Sequence, residues 1–180
     1  MVDHCIDGRV LYPFAGHVVL AWKTYCKVRN LEYLKTPICI ENMSVYRATI
    51  LGQQAVKLDV DFSAGNGTFE IMEGDQLAAC GKISIPENLK IPSTTAAFPI
   101  TDRFAMTGAE VYKELRLRGY DYGPHFRSIQ KASEDCRRTE IAWSDNFVPY
   151  IDALLQAYLI SEKGDSLHLP VRLRYLAIDP

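Results

Sequence analysis

A proline-rich segment divides the sequence into two parts that show the same order of patterns. Residues 86–101 contain three prolines and the polar run Ser93-Thr94-Thr95. Proline at this density excludes a helix and a central strand, because its ring fixes φ and its nitrogen has no hydrogen to donate. We therefore predict a linker at 91–105, which separates an N-terminal unit at 1–90 from a C-terminal unit at 106–180.

The first part begins with a helix pattern and continues with alternating strands. Apolar residues at helical spacing predict a helix from about 15 to 28. The segment Ala55–Ser63 then alternates apolar and polar residues, and Gly65-Asn66-Gly67 after it is a strong turn signal. The pattern indicates one helix followed by an antiparallel meander of about four strands.

The second part repeats this order but with fewer strands. Thr107 and Glu110 have the spacing of a capping box, which predicts the start of a helix. A second helix is predicted over 148–161, and a single strand candidate follows at 169–178. The expected fold class is α+β, with two helix-and-sheet units of which the second is incomplete.

Composition narrows the classes of protein to which this chain can be assigned. Apolar residues make up 48% of the 180 residues and charged residues 23%, and the formal net charge is −2. These proportions indicate a globular chain without a general surface for nucleic acid, and no apolar run is long enough to cross a membrane. Five cysteines without a CxxC pair favour neither a disulfide framework nor a zinc site, so we expect a cytoplasmic protein.

A histidine near the N-terminus is the first candidate for catalysis. His4 lies in a loop-like segment with the pattern H-x-x-x-G-x-x-x-x-P, which includes Gly8 and Pro13. A lone histidine near a terminus is usually an ordinary surface residue. This one precedes a helix whose free N–H groups and positive dipole end suit a carbonyl oxygen that gains charge, and Gly16 in the first turn permits close approach.

The second candidate is an acid within the second apolar helix. Asp152 lies between Ile151 and Leu154, and Gln156 follows one turn later on the same face. Two interpretations stay open. The aspartate either faces water near a helix N-terminus, or it is a buried acid that can donate a proton.

The third candidate is the aromatic segment 119–126. It contains Tyr122, Gly123 and Pro124 among two tyrosines, two glycines and one proline. As structure it is a helix stop followed by a rigid loop. As function, a tyrosine hydroxyl there could hold a neighbouring carboxylate in place.

Together these segments resemble the dehydratase domains of fatty acid and polyketide synthases. His4–Pro13 matches their HxxxGxxxxP motif, Tyr122–Phe126 their YGPxF motif and Asp152–Gln156 their DxxxQ/H motif. The flanking sequences DHCIDGRVLYP, LAWKT and LAIDP are most similar to animal type I fatty acid synthase. Leu169-Pro170 stands where the family has LPFxW, but Val171 and Leu173 depart from that motif.

The resemblance implies a double hotdog fold with an active site between its two units. In such a site His4 would remove the α-proton of a 3-hydroxyacyl thioester, and Asp152 would protonate the departing β-hydroxyl. The helix turn near Gly16 would hold the thioester carbonyl, while Tyr122 and Gln156 would orient Asp152.

The resemblance also implies the partners. No metal or redox cofactor is expected, because the acyl chain is carried on the phosphopantetheine of an acyl carrier protein. The other domains of a fatty acid synthase are expected partners, with a dimer in the full synthase. The stretch Arg103–Arg138 contains eight basic and five acidic residues, which indicates either a carrier docking surface or a solvated helix face.

Other functions remain open at this point. A hotdog acyl-thioesterase or acyl-binding module would share the helices and sheets, but it needs no histidine from one half and aspartate from the other. A non-catalytic or fragmentary synthase module is favoured by Phe14 and His17, which depart from the family pattern after the motif proline. A polyketide synthase dehydratase is a variant of the main prediction.

Overall fold

The computed structural model describes residues 1–87, 104–162 and 164–180. The predicted linker at 91–105 therefore lies almost entirely outside the described residues. Within the described ranges, the α-helices are α1 (Phe14–Val28), α2 (Gly108–Leu117) and α3 (Phe147–Ser161). The strands are β1 (His4–Ile6), β2 (Arg9–Val10), β3 (Ile38–Val45), β4 (Leu58–Phe62), β5 (Thr68–Glu73), β6 (Gln76–Ser84), β7 (Phe104–Thr107), β8 (Tyr120–Tyr122), β9 (Ile129–Ser133), β10 (Thr139–Ile141) and β11 (Arg172–Ile178).

The chain forms two compact units, and each unit combines two separate stretches of sequence. One unit contains Met1–Ala15 and the described part of Thr94–Leu169, and the other contains the described part of Gly16–Ser93 and Pro170–Pro180. The boundaries predicted from sequence stay a prediction, and the compact units differ from them at both termini. The physical reason is strand pairing, because β1 pairs with β8 and β11 pairs with β3.

The unit built around Gly16–Ser93 contains a five-stranded antiparallel sheet in the order β11-β3-β6-β5-β4. Strands β4, β5 and β6 form the meander that the alternating pattern predicts. The strand candidate at 169–178 does form a strand, but it pairs with β3 rather than with a sheet of the later unit, which corrects the expectation. Ile178 lies opposite Ile38, and the Val45 N–H donates to the Val171 carbonyl at 2.8 Å.

Helix α1 lies mostly in this unit and buries aromatic side chains within it. Trp22 is fully buried and donates its indole N–H to the Thr36 carbonyl at 3.2 Å. The ring of Tyr25 meets that of Phe62 on β4 edge-to-face, with centroids 5.4 Å apart. The helix begins within one residue of the predicted start. The apolar side chains whose spacing predicts the helix are the ones that it buries.

The other unit contains two three-stranded sheets, with the orders β2-β1-β8 and β10-β9-β7. Two segments predicted as loops contain strands here: residues 3–13 form the β1–β2 hairpin, and residues 119–126 contain β8. The hairpin turn is Asp7-Gly8, whose two φ angles are 50° and 71°. Positive φ at both central residues is typical of a type I′ turn, which matches the twist of paired strands.

Helix α2 begins with the capping box that the sequence predicts. The Glu110 N–H donates to the Thr107 side chain, and the Thr107 N–H donates to the Glu110 carboxylate at 2.7 Å. Val111, Tyr112 and Leu115 form the buried side of the helix. None of the helices within the described ranges is long and apolar enough to span a membrane.

We predict that Gly67→Ala destabilises the protein whereas Gly65→Ala does not. Gly67 has a φ of +76°, and an added Cβ would overlap the Ile83 carbonyl oxygen, while a Cβ on Gly65 would meet nothing within 4 Å. We expect the free energy of unfolding to fall by about 1–3 kcal/mol for Gly67→Ala and to change by less than about 0.5 kcal/mol for Gly65→Ala. Urea unfolding of both variants provides the measurement, and equal stabilities would contradict the assignment of the turn.

Candidate active site

Strand pairing brings two of the sequence motifs together at His4. The strand β1 that begins with His4 runs antiparallel to β8, and His4 lies directly opposite Tyr122. One residue earlier, the Asp3 carbonyl accepts the Gly123 N–H at 2.7 Å. The start of the chain is therefore held against the Tyr122–Phe126 motif by backbone hydrogen bonds.

The backbone fixes the tautomer of His4. The imidazole is 5% exposed, and its Nδ1 lies 2.9 Å from the Leu11 carbonyl oxygen. A carbonyl oxygen can only accept, so this contact assigns the hydrogen of the neutral ring to Nδ1. The lone pair of the neutral imidazole is then on Nε2, where it can take up a proton.

Asp152 faces this lone pair from α3. Its Oδ1 lies 3.5 Å from His4 Nε2, and the residue is 3% exposed. The buried interpretation of Asp152 thus describes its position, and the water-facing one does not. Both residues lie in the same compact unit, because Met1–Ala15 joins the later part of the chain. This differs from a site with one residue from each unit, which the resemblance implied.

Gln156 holds the other oxygen of the aspartate. Its Nε2 donates to Asp152 Oδ2 at 2.7 Å and to the Phe126 carbonyl at 3.0 Å. Its Oε1 accepts the Tyr112 hydroxyl at 2.9 Å. The amide is fully buried, so these bonds replace the water that it would otherwise contact.

Tyr122 and Phe126 supply rings beside the imidazole. The Tyr122 centroid lies 5.5 Å from that of His4, and Phe126 approaches edge-on at 5.2 Å. Burial raises the pKa of Tyr122 well above its ordinary value, and the nearby Asp152 carboxylate raises it further. Among the described residues Tyr122 makes no hydrogen bond to Asp152; Gln156 does.

The remaining predicted site residues have places of their own in the fold. Gly8 forms the β1–β2 turn, and Pro13 directly precedes α1. Gly123 allows Asp3 to approach, because an added Cβ would overlap the Asp3 carboxylate, and Pro124 begins a 3₁₀ turn. Gly16 lies in the first turn of α1 but in the other unit, and its contact with a thioester carbonyl stays a prediction.

Sequence reasoning did not identify two residues of this site. Tyr112 carries no signal of its own, because a tyrosine on the apolar face of an amphipathic helix is usually a core residue. Asp3 lies in the segment predicted as a loop, yet its carboxylate accepts the His125 N–H at 3.0 Å and contacts the His125 ring. An acid next to His4 was the only sequence signal for this anchor.

The described residues contain no group of three or more His, Cys, Asp or Glu side chains positioned to hold one metal ion. The contacts described above assemble an imidazole, a carboxyl group and the hydrogen bonds that orient them. Such a pair can remove one proton and supply another.

Comparison of the sequence with known proteins finds a distant relative among large synthases. No protein-family model matches the chain. The hybrid PKS-NRPS synthetase ucsA of an Acremonium species is 26% identical over 98% of this chain. The alignment covers 6% of that protein, so this chain spans only a small part of the relatives it matches.

Solved dehydratase domains have the same fold. The dehydratase domain from the CurF module of curacin polyketide synthase has a TM-score of 0.74 and 20% identity, over 96% of this chain and 70% of that one. The CurK dehydratase has a TM-score of 0.69 and 19% identity, over 97% of this chain and 70% of that one. Two solved forms of CurK are described as inactive mutants, with histidine replaced by phenylalanine in one and aspartate by asparagine in the other. These likenesses confirm the predicted α+β hotdog fold.

We predict that Asp3 stabilises the fold in a pH-dependent way. Hydrogen bonds from the His125 backbone N–H, and then from its ring, lower the pKa of Asp3 below its ordinary value of 3.8. The folded state therefore favours the ionised carboxylate. This contribution is present above the unfolded pKa and is lost as the pH falls through the folded pKa.

The variant Asp3→Asn should therefore differ most from the unmodified chain near pH 7, and the difference should shrink below about pH 4. Asp7→Asn is the control, because the carboxylate of Asp7 is 69% exposed and its ion pair with Arg9, at 3.6 Å, is exposed as well. The free energy of unfolding at several pH values is the measurement. A difference that stays constant with pH would contradict the role of the Asp3 carboxylate.

Proposed function

We propose that this chain is a dehydratase of the fatty acid and polyketide synthase type, which eliminates water from a 3-hydroxyacyl thioester to give a trans-2-enoyl thioester. The observation that carries the proposal is the pair His4 Nε2 and Asp152 Oδ1, buried 3.5 Å apart with defined hydrogen bonds on their far sides. A base and an acid that face one point are what the elimination needs.

The reaction balances with these two groups alone. His4 Nε2 takes the proton from C2 of the substrate, and the electrons of that C–H bond form the C2=C3 double bond. The C3–O bond breaks, and the hydroxyl leaves with the proton of Asp152 as water. The step leaves His4 as an imidazolium and Asp152 as a carboxylate. A proton transfer from His4 to Asp152 then returns both groups to their starting states.

The two side chains lie in buried surroundings. Both side chains are nearly inaccessible to water, and Tyr122 and Phe126 pack against the imidazole. A neutral imidazole and a protonated carboxyl are easier to bury than an ion pair, because burial of two charges carries a large desolvation cost. The elimination as proposed requires a neutral imidazole and a protonated carboxyl at its start.

The comparisons support the class of reaction. The chain has the fold of solved dehydratase domains, and one such dehydratase is described as inactive when a histidine or an aspartate is replaced. Within this class the first candidate is a dehydratase of fatty acid synthesis, which the flanking sequences that resemble animal fatty acid synthase support. The second candidate is a polyketide dehydratase, which is favoured because the named relatives are polyketide synthases.

We propose further that the substrate arrives on the phosphopantetheine of an acyl carrier protein, within a larger synthase. A cleft of about 440 Å³ beside α2 is lined by Lys113, Arg116 and Arg127 among others. Acidic carrier domains would be attracted to these cations. Arg103 of the predicted docking stretch lies outside the described residues.

Arg118 does not suit the docking role that the sequence suggested. Its side chain is 13% exposed, and it donates to Glu114, to the Leu159 carbonyl and to the Glu162 carbonyl. This guanidinium joins α2 to the end of α3. Charge reversal at Arg118 would therefore damage the fold, so the docking proposal rests on the cleft residues.

We predict that His4→Ala and Asp152→Asn each lower kcat/KM for 3-hydroxyacyl thioesters by about 10²–10⁴-fold. The double variant should be little worse than either single variant, because both groups act in one step. Enoyl thioester formation and free thiol release should be followed together in the chain within its synthase context. Thiol release without enoyl product would instead indicate a thioesterase, and an unchanged rate in Asp152→Asn would remove this residue from the mechanism.

We also predict that Lys113→Glu with Arg116→Glu raises KM for a carrier-bound substrate but leaves KM for a small thioester analogue unchanged. The reason is loss of attraction to an acidic carrier, which the small analogue does not feel. Lys57→Glu is the control, because Lys57 is exposed and lies in the other unit, where it pairs with Asp59 at 2.8 Å. Equal effects on both substrates would contradict the docking proposal.

A further inference from the structure

Tyr112 occupies a buried position between α2 and the candidate site. The residue is 7% exposed, and its ring lies near the Arg127 guanidinium at 5.7 Å from the centroid. This contact involves the ring and not the hydroxyl group. The hydroxyl instead takes part in two hydrogen bonds, with residues of β9 and α3.

The directions of these two bonds are determined by their partners. The Ile129 backbone N–H donates to the Tyr112 oxygen at 3.0 Å. The single hydroxyl hydrogen is therefore available for Gln156 Oε1, at 2.9 Å. Burial raises the pKa of Tyr112 to about 12, so the hydroxyl keeps this hydrogen at neutral pH.

The hydroxyl in turn defines the orientation of the Gln156 amide. With Oε1 toward Tyr112, Nε2 faces two acceptors, the Phe126 carbonyl and Asp152 Oδ2. A half-turn of the amide would place Oε1 against both acceptors and leave the Tyr112 hydrogen without an acceptor. Three contacts therefore agree on one orientation.

This orientation has a consequence for Asp152. Because Oδ2 accepts a hydrogen from Gln156, the proton of the neutral acid belongs on Oδ1, the oxygen that faces His4 Nε2. We propose that Tyr112 is a positioning residue, which acts through Gln156 to keep the transferable proton of Asp152 on Oδ1. The catalytic part of this inference rests on the proposed function.

The first experiment needs no turnover. The side-chain amide of Gln156 is observed by NMR in ¹⁵N-labelled protein and assigned with Gln156→Leu. We expect Tyr112→Phe to shift these signals and to speed their hydrogen exchange by about tenfold or more, because the amide loses one of its three hydrogen bonds. Signals that are the same in Tyr112→Phe would overturn the proposal.

Tyr120→Phe is the matched control. Tyr120 is also a buried tyrosine, and its hydroxyl donates to the His168 carbonyl at 2.7 Å and accepts the His168 N–H at 2.6 Å. It thus loses the same two kinds of hydrogen bond, with no connection to Gln156. We expect its Gln156 signals to equal those of the unmodified chain. If Tyr120→Phe and Tyr112→Phe shift the signals equally, the effect is general loosening and the proposal fails.

The second experiment tests the link to catalysis. We expect Tyr112→Phe to lower kcat by about tenfold with KM within twofold, and Tyr120→Phe to leave both within twofold. Because Tyr112 acts through Gln156, the double variant Tyr112→Phe/Gln156→Leu should have the kcat of Gln156→Leu alone. Full additivity of the two losses, or an unchanged kcat in Tyr112→Phe, would overturn the positioning role.

The two experiments separate the failures of the two proposals. If the unmodified chain makes no enoyl product, the proposed function fails, while the NMR result still decides the contact between Tyr112 and Gln156. If Tyr112→Phe does not fold, a protected Tyr112 hydroxyl proton in the unmodified chain should show a nuclear Overhauser effect to the Gln156 amide. Absence of that effect in the folded protein would overturn the proposal.

Discussion

The antiparallel pairing of β1 with β8 is the interaction on which the candidate site depends. It places His4 opposite Tyr122, although 118 residues separate them in sequence. The Asp3 carboxylate and carbonyl add contacts to His125 and Gly123 at the end of the same pairing. These bonds hold the segment that contains His4 against the segment that contains Tyr122 and Gly123.

The second constraint is the cost of burying polar groups. His4, Asp152 and Gln156 are all at most 5% exposed, and each buried polar group needs a partner. The Leu11 carbonyl serves the imidazole, Gln156 serves one carboxyl oxygen, and Tyr112 serves Gln156. The oxygen and nitrogen without such supports, Asp152 Oδ1 and His4 Nε2, are the two atoms that face each other. The hydrogen bonds on the far sides of the two groups thus leave these two atoms facing each other.

Much of the secondary structure can be predicted from local sequence patterns. The periodicity of α1, the capping box of α2 and the alternation of β4 to β6 depend on neighbouring residues, so the sequence predicts them directly. The partner of a strand depends on distant residues. For that reason the sequence pattern predicts a strand at 169–178 but not its pairing with β3, and it predicts loops where β1 and β8 form. The motifs identified His4, Asp152 and Gln156, whereas Tyr112 carries no local signal that separates it from a core residue.

The supports of the site are all electrically neutral, and this affects its chemistry. A backbone carbonyl holds His4, the Gln156 carboxamide holds Asp152, and the Tyr112 hydroxyl holds Gln156, so none of these three supports carries a fixed charge. In a buried site an added lysine or arginine at Oδ2 would stabilise the carboxylate and make the proton harder to donate. A carboxamide orders the oxygen with a hydrogen bond but without a full charge. In the proposed reaction this arrangement would hold Asp152 firmly and still leave it able to donate a proton, which a salt bridge at the same oxygen would oppose.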